Sequence, residues 1–168
     1  MKVLETERLI LRRLADEDAG FILELLNDPG WLRFIGDKGV RTLDDARGYI
    51  RNGPAAMYAR HGHGLYRVEL KDGATPLGIC GLIKRDTLDD VDLGFAFLPR
   101  YRAQGYAREA AAATLAYARN TLGVQRIVAI TSPDNAASGR LLEHIGLHLE
   151  GLVRLAGSDS EVRLYATP

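Results

Sequence analysis

The sequence has a single cysteine, no long apolar run and no excess of charge of either sign. Cys80 has no second cysteine to pair with, so no disulfide can form within the chain. No apolar stretch approaches the roughly twenty residues of a membrane-spanning helix, and the first residues lack the cationic and apolar segments of a secretory signal. These absences predict a cytoplasmic protein that has no membrane partner.

A charge imbalance is also lacking. Basic residues and acidic residues number 22 each among the 168 residues, so the formal net charge is zero. Domains that bind nucleic acid usually carry a basic excess, and we therefore expect no direct binding of nucleic acid. A partner must be recognised by a local group of residues. The length fits one domain that spans residues 1–168.

Apolar periodicity and turn residues predict an α/β (α+β) domain with a mixed, mostly antiparallel central sheet of about seven strands and about four helices. The strands are expected at residues 8–14, 65–71, 76–85, 91–98, 125–131, 147–155 and 161–167. The helices are expected at residues 16–27, 42–52, 104–122 and 135–144. The segments 31–39 and 57–64 are expected to be loops.

The segment Phe97–Ala110 joins an apolar strand to an alanine-rich helix through a basic turn that contains a glycine. The first N–H groups of a helix have no intrahelical partner and lie at the positive end of its dipole, so a phosphate fits there. Gly105 and Ala107 keep the turn small, while Arg102 and Arg108 can add charge-assisted hydrogen bonds. Neither a Walker loop nor Gly-x-Gly-x-x-Gly is present, which disfavours mononucleotide kinases and dinucleotide enzymes.

The spacing Arg-x-x-Gly-x-Ala at residues 102–107 resembles the signature of the GCN5-related N-acetyltransferase (GNAT) family. Two further segments extend the resemblance over nearly the whole chain: Glu5-Thr6-Glu7-Arg8-Leu9 and Ser132-Pro133-Asp134-Asn135-Ala136-Ala137-Ser138. Both are similar to the branch that contains the ribosomal-protein N-terminal acetyltransferases RimJ and RimL. The resemblance implies a GNAT fold and an acetyl-CoA-dependent N-acetyltransferase.

The resemblance also implies where acetyl-CoA, the acetyl donor, would bind. Its pyrophosphate would lie in the 102–107 loop, and its pantetheine arm would pair with the strand that ends at Leu98. A backbone N–H near Leu98 would face the thioester oxygen and stabilise the oxyanion. Asn135 would hydrogen-bond the pantetheine amide or orient the loop. The residues implied in cofactor binding are Phe97, Leu98, Arg102, Ala103, Gln104, Gly105, Tyr106, Ala107, Asn135 and Ser138.

Asp92 is the candidate base. An amine acceptor is mostly protonated at neutral pH, so a base must take its proton directly or through water. The resembling branch often has a glutamate on this strand, and the shorter Asp92 favours a water relay. On a strand, Asp92, Gly94 and Ala96 share one face, which leaves space beside the carboxylate. The alternative is that Asp92 ends a turn or pairs with a nearby basic residue.

Ser138 is the candidate acid. Many relatives place a tyrosine in this region to protonate the departing thiolate, but residues 136–144 contain none. Ser138 could replace it, directly or through water. The alternative is that Ser138 caps the backbone at the start of its helix.

The acceptor is a primary amine, and the sequence leaves its class open. The resemblance implies a protein N-terminal α-amino group, and the alternatives are a small-molecule amine or a non-catalytic acyl-CoA-binding module. Trp31, Phe34 and Tyr49 could line an acceptor pocket or simply pack helices on the sheet. The segments 31–39 and 57–64 would form an open groove or a closed pocket. An exposed sheet edge leaves both a monomer and a homodimer open.

The remaining chemically active side chains have simpler interpretations. His61 and His63 have no third metal ligand within sequence reach, so they are expected to lie in a loop, and no metal is predicted. Cys80 lies mid-strand with no adjacent basic residue. We therefore expect a buried and unreactive thiol.

Overall fold

Eight strands form one mixed sheet in the computed structural model, which describes residues 1–168. They are β1 (Lys2–Glu5), β2 (Leu9–Arg13), β3 (Leu65–Leu70), β4 (Pro76–Ile83), β5 (Val91–Phe97), β6 (Ile127–Thr131), β7 (His148–Arg154) and β8 (Glu161–Ala166). Their order across the sheet is β1-β2-β3-β4-β5-β6-β8-β7. Only β5 and β6 run parallel. The expected mixed, mostly antiparallel sheet is confirmed.

Six α-helices connect the strands. They are α1 (Ala19–Leu26), α2 (Pro29–Phe34), α3 (Leu43–Asn52), α4 (Pro54–His61), α5 (Tyr106–Asn120) and α6 (Ala136–His144). Four of them lie between β2 and β3, while α5 makes the crossover between the parallel strands β5 and β6. No helix combines the length and the hydropathy that crossing a bilayer would require.

The sheet has one strand more than the sequence predicts. Strand β1 pairs antiparallel with β2 at the edge of the sheet, with Leu4 opposite Leu11. It has only four residues, and its two ends are exposed. So short a strand contains too little apolar alternation to be distinguished from a loop by periodicity.

Helices α2 and α4 lie in segments that the sequence predicts as loops, and those two predictions are wrong. The Asp28-Pro29-Gly30 segment ends α1 as expected, but it also begins α2. Asp28 Oδ2 accepts hydrogen bonds from the N–H groups of Gly30 (3.0 Å) and Trp31 (3.2 Å), while Pro29 occupies the first helical turn. Pro54 likewise occupies the first turn of α4, which has no side-chain cap. Proline marks a helix start here as well as a helix end.

Helix α5 begins two residues later than expected. Ala103 and Gly105 both have positive φ angles, 60° and 83°, so residues 103–105 form an irregular turn and the helix starts at Tyr106. Gly105 adopts this left-handed conformation without steric cost, because it has no Cβ. The backbone of residues 103–105 therefore does not continue the helix towards its N-terminal side.

Two apolar layers cover the two faces of the sheet. Successive side chains of a strand point to opposite faces, so β5 contributes Leu93 and Phe97 to the layer beneath α5. Ala96, on the other face, packs against the layer that includes helices α1–α3. The helices before β3 and the crossover helix α5 are thus separated by the sheet.

Strands β5 and β6 pair only at their first residues. Val91 lies opposite Ile127 and Asp92 lies opposite Val128, and no pairing is made beyond these positions. On its other side, β5 stays paired with β4 as far as Phe97. The sheet therefore opens on one side of β5.

Gly81 on β4 gives a test of how closely the sheet is packed. A Cβ there would overlap the carbonyl oxygen of Gly64 and come within 2.9 Å of Leu65 Cα. We expect Gly81→Ala to lower the free energy of unfolding by about 3 kcal/mol, because neither backbone group can move away without breaking the β3–β4 pairing. Urea denaturation measures this change.

The matched control for that substitution is Gly20→Ala in helix α1. Nothing lies within 4 Å of the position that its Cβ would take. Alanine should stabilise the helix there by about 0.5–1 kcal/mol. Equal effects of the two substitutions would contradict the close approach at Gly81.

Candidate active site

A cleft of about 900 Å³ opens where β5 and β6 separate. Its walls come from the face of β5, the end of β6, the start of α5 and helices α2, α4 and α6. Most of its lining is apolar, and charged side chains enter it at only a few positions. A cleft of this kind can hold an elongated ligand with polar ends.

A row of free backbone N–H groups lies at one end of the cleft. No hydrogen bond within the protein engages the N–H of any residue from Ala103 to Arg108. The loop is exposed, and the positive φ angles of Ala103 and Gly105 alternate with ordinary ones. Alternation of this kind turns successive N–H groups to the same side, and the N-terminal end of α5 adds its dipole. Such an arrangement can hold a phosphate group.

Arg8 holds this loop from outside the cleft. Its Nε donates to Glu109 Oε1 (2.7 Å), its Nη1 donates to the carbonyl of Gln104 (3.2 Å), and its guanidinium lies 4.4 Å from the ring centre of Tyr106. Thr6 also donates to Glu109 (2.5 Å). Partial burial opposes the ionisation of Glu109, but these bonds outweigh it and lower its pKa. The Thr-Glu-Arg-Leu segment thus fixes the start of α5.

Arg102 does not present its side chain to the loop. Its Nη2 donates to Asp28 Oδ2 (2.7 Å), its Nε donates to the carbonyl of Phe97 (3.0 Å), and its own N–H is bonded to the carbonyl of Pro99. These contacts hold the turn in place and leave one Nη of Arg102 without a hydrogen-bond partner within the protein, so the binding of phosphate by Arg102 stays a prediction. Arg108 is the cation without an ion pair in this turn.

Leu98 cannot supply the oxyanion N–H. Its N–H donates to the carbonyl of Leu77 on β4 (2.9 Å), so that prediction is wrong for Leu98 itself. N–H groups alternate from side to side along an antiparallel strand. Because the N–H of Leu98 points towards β4, the N–H of Phe97 points to the other side, towards the opening beside β6. Phe97 is therefore the candidate donor.

Asp92 is buried in the wall of the cleft, with only 1 % of its surface exposed. Its Oδ2 accepts a hydrogen bond from Arg85 Nε at 2.5 Å. Burial raises the pKa of Asp92, and the charge and hydrogen bond of Arg85 offset this only in part. Asp92 thus pairs with a nearby basic residue, as the alternative interpretation predicts. It also lines the cleft, together with Gly94 and Ala96.

Asn135 and Ser138 also line the cleft, and their roles differ from the simplest expectation. Asn135 Oδ1 accepts a hydrogen bond from the N–H of Ser138 (3.2 Å), so Asn135 is the N-cap of α6. Its side-chain amide remains free to donate. Ser138 does not cap the helix through its hydroxyl, which has no partner within the protein.

The predicted site residues are brought together with two exceptions. The cleft is lined by Asp92, Phe97, Arg102, Ala103, Gly105, Tyr106, Ala107, Asn135 and Ser138. Leu98 is buried in the layer under α1–α3, and the side chain of Gln104 turns away to the carbonyl of Arg100. Trp31, Phe34 and Tyr49 also line the cleft, although Trp31 is at the same time part of the core.

Cys80 and the two histidines lie outside the cleft. Burial raises the pKa of the Cys80 thiol to about 12, so it is protonated at neutral pH. His63 is buried and its Nδ1 contacts the carbonyl of Leu82 (2.8 Å), with the ring stacked on that of His61. No three His, Cys, Asp or Glu side chains form a group that could hold a metal ion.

The model of the acetyltransferase (GNAT) domain matches residues 8–148. The chain belongs to the GNAT acetyltransferase family. It is similar to two Bacillus subtilis proteins, uncharacterized N-acetyltransferase YoaA (29% identity; 90% of this chain and 86% of YoaA) and uncharacterized protein YkkB (30%; 90% and 88%).

Solved structures agree with this assignment. An acetyltransferase from Agrobacterium tumefaciens has a TM-score of 0.85 at 28% identity, with 100% of this chain and 95% of that chain covered. A GNAT acetyltransferase from Bacillus anthracis has a TM-score of 0.80 at 28% identity, with 99% and 97% covered. The protein is thus a GNAT N-acetyltransferase, and GNAT enzymes use acetyl-CoA as the donor.

The loop of this GNAT acetyltransferase fits the donor. The free N–H groups of residues 103–108 can receive the pyrophosphate, and Arg108 can add charge. Beyond Asp92, β5 has an unpaired side, which can receive the amides of a pantetheine arm in place of a neighbouring strand. The donor supplies the acetyl thioester.

Sequence reasoning missed two residues of this GNAT site. Arg85 pairs with Asp92 and lines the cleft, and Asp28 holds Arg102. For Arg85 the predicted hairpin between residues 76–85 and 91–98 was a signal, because the end of one strand lies close to the start of the next. In the structure, Ile83 lies opposite Asp92, which places Arg85 near Asp92. No sequence signal links Asp28 to Arg102, which lie on separate elements.

Gly105 provides a test of the phosphate site. We expect Gly105→Glu to weaken acetyl-CoA binding at least a hundredfold, because it places a carboxylate among N–H groups that would hold an anion and strains a left-handed residue. Isothermal titration calorimetry with acetyl-CoA measures the affinity.

Gly123→Glu is the control for this substitution. Gly123 follows the other end of α5, has a φ of 69° and has open space around it, so it carries similar backbone strain and the same new charge. Its affinity for acetyl-CoA should stay near that of the wild type. Unchanged binding by Gly105→Glu would place the phosphate site elsewhere.

Proposed function

We propose that this protein transfers the acetyl group of acetyl-CoA to the α-amino group of a polypeptide N terminus, with Asp92 as the base. The observation that carries the proposal is the buried Asp92 carboxylate in the wall of a cleft whose far end presents free N–H groups for phosphate. Candidates for the two chemical requirements of acetyl transfer, a base and a donor site, thus line one cavity.

Asp92 takes the proton of the amine through a water molecule. Burial raises the pKa of Asp92 and so makes the carboxylate a stronger base than an exposed aspartate, while the charge and hydrogen bond of Arg85 favour its ionised form. Gly94 and Ala96 on the same face of β5 leave room for the water and the amine.

Two further groups complete the mechanism. The N–H of Phe97 donates to the oxyanion that develops as the amine attacks, and this contribution requires no particular side chain. The hydroxyl of Ser138, which has no partner within the protein, donates a proton to the departing thiolate directly or through water. A thiol leaves readily, so a weak acid is sufficient.

The polypeptide acceptor is supported by resemblance. Residues 5–9 and 132–138 are similar to the ribosomal-protein acetyltransferase branch. The fold is shared with RimL, a ribosomal L7/L12 α-N-protein acetyltransferase whose structure contains coenzyme A (TM-score 0.82, 18% identity). It is also shared with a ribosomal-protein-S5-alanine acetyltransferase of Vibrio fischeri (TM-score 0.77, 18% identity).

A small-molecule amine is the second candidate acceptor. The acceptor end is bounded by helices α2 and α4 through Trp31, Phe34 and Met57, where the sequence predicts loops. Helices packed in this way close a pocket more readily than mobile loops do, and a closed pocket favours a small amine.

Thiol release from acetyl-CoA distinguishes these acceptors. Peptides that begin with Ala, Ser or Thr are offered in parallel with a panel of polyamines, amino acids and aminoglycosides. We expect turnover with peptides. Turnover restricted to small amines would reject the polypeptide acceptor, and tight acetyl-CoA binding without any turnover would reject acetyl transfer to these amines.

Asp92→Asn tests the base. At a pH above the raised pKa of Asp92 and below the pKa of the amine, we expect the rate to fall about a hundredfold. As the pH decreases through the pKa of Asp92, the wild type loses its own base, so the ratio of the two rates approaches one. Rate profiles measured from acidic to alkaline pH show this convergence.

Asp90→Asn is the matched control. Asp90 is exposed, lies two residues before Asp92 in the sequence and pairs with Arg126. Its pH profile should follow the wild type. An unchanged rate for Asp92→Asn across the pH range would remove Asp92 from the mechanism.

A further inference from the structure

Arg85 is a second charged group at the acceptor end of the cleft. Only its Nε is engaged by Asp92, and neither of its Nη groups has a hydrogen-bond partner within the protein. Lys84 fixes the backbone beneath it, since Lys84 Nζ donates to the carbonyls of Arg85 (2.8 Å) and Leu88 (2.5 Å). A guanidinium held in this way has donors left for a ligand.

The charges that line the cleft leave its acceptor end positive. Both acidic residues of the lining, Asp28 and Asp92, are already paired with arginines. Lys38 lies beside Tyr49 at this end, is exposed and has no ion pair, because the neighbouring Asp37 is bound by Arg41. No unpaired carboxylate is available there for an extra cation.

We propose that the enzyme prefers acceptors that carry a carboxylate next to the reacting amine, and that Arg85 binds this carboxylate through its free Nη groups with Lys38 nearby. This inference rests on the proposed acetyl transfer and specifies its acceptor. The carboxylate has two sources, a free α-amino acid or an acidic side chain at the first position of a polypeptide.

Charge complementarity favours such an acceptor over a simple amine. A zwitterion places its ammonium group towards Asp92 and its carboxylate towards Arg85, so each charge of this ion pair meets an opposite charge. A polyamine would bring additional positive charge beside Arg85 and Lys38 with nothing to neutralise it. Because one guanidinium contacts both the base and the substrate anion, Arg85 also positions the amine beside Asp92.

The wild-type enzyme gives the first test. Two matched pairs of acceptors are compared by thiol release: L-alanine with L-alaninamide, and a peptide that begins with Asp with the same peptide that begins with Asn. One of the two pairs should match the chemistry of the true acceptor. In that pair we expect kcat/KM to be at least tenfold higher for the acid than for the amide, because a charge-assisted hydrogen bond contributes a free energy of that size. The pair that shows the preference identifies the source.

Variants of Arg85 assign that preference to its side chain. In Arg85→Gln the ratio of acid to amide should fall to about one, whereas Arg85→Lys should keep part of it because the charge remains without the planar fork. The ratio reports recognition even where the loss of the Asp92 partner slows both reactions. Lys38→Met should raise KM for the acid severalfold and leave KM for the amide unchanged.

Arg119→Gln is the matched control, since Arg119 is exposed on α5 and lies outside the cleft. Its acid-to-amide ratio should equal that of the wild type. Equal use of acid and amide by the wild type, or a ratio unchanged in Arg85→Gln, would overturn the carboxylate proposal while acetyl transfer stands. No turnover of any acceptor here or in the amine panel would overturn both.

Discussion

The early end of the pairing between β5 and β6 is the constraint on which the site depends. Two residue pairs hold the strands together, and beyond Asp92 the side of β5 that faces β6 has no partner strand. Exposed strand edges bind extended ligands through their backbone, so the separation creates both the cleft and its recognition groups. The continued pairing of β5 with β4 keeps the open edge rigid, and it also directs the N–H of Leu98 away from the cleft.

Two ion pairs keep the phosphate-binding turn in place from opposite sides. Arg8 reaches from the start of β2 to Glu109 on α5, and Arg102 reaches from the turn to Asp28, the N-cap of α2. The first pair gives the Thr-Glu-Arg-Leu segment a structural role: it holds the turn, although it does not line the cleft. The second connects the turn to α2, the helix that carries Trp31.

The electrostatics of this part of the cleft depend on the pair formed by the buried Asp92 and the half-buried Arg85. Burial favours the neutral form of Asp92, and the charge and hydrogen bond of Arg85 offset this in part. Since Arg85 uses only part of its donor set on Asp92, the same residue has donors left for a ligand. In the proposed mechanism, base and specificity are therefore coupled through one guanidinium.

The sequence by itself determined the fold class, the donor loop and the position of Asp92 on its strand, because these are local: periodicity, a turn with a glycine, and alternation along β5. It also indicated the family through motifs in the right order. Tertiary structure alone decided that Arg102 turns to Asp28, that Leu98 bonds to β4, and that Arg85 meets Asp92. The first contact joins side chains that are far apart in sequence, and the other two depend on the pairing of β5 with β4, so all three require the folded sheet and its neighbours.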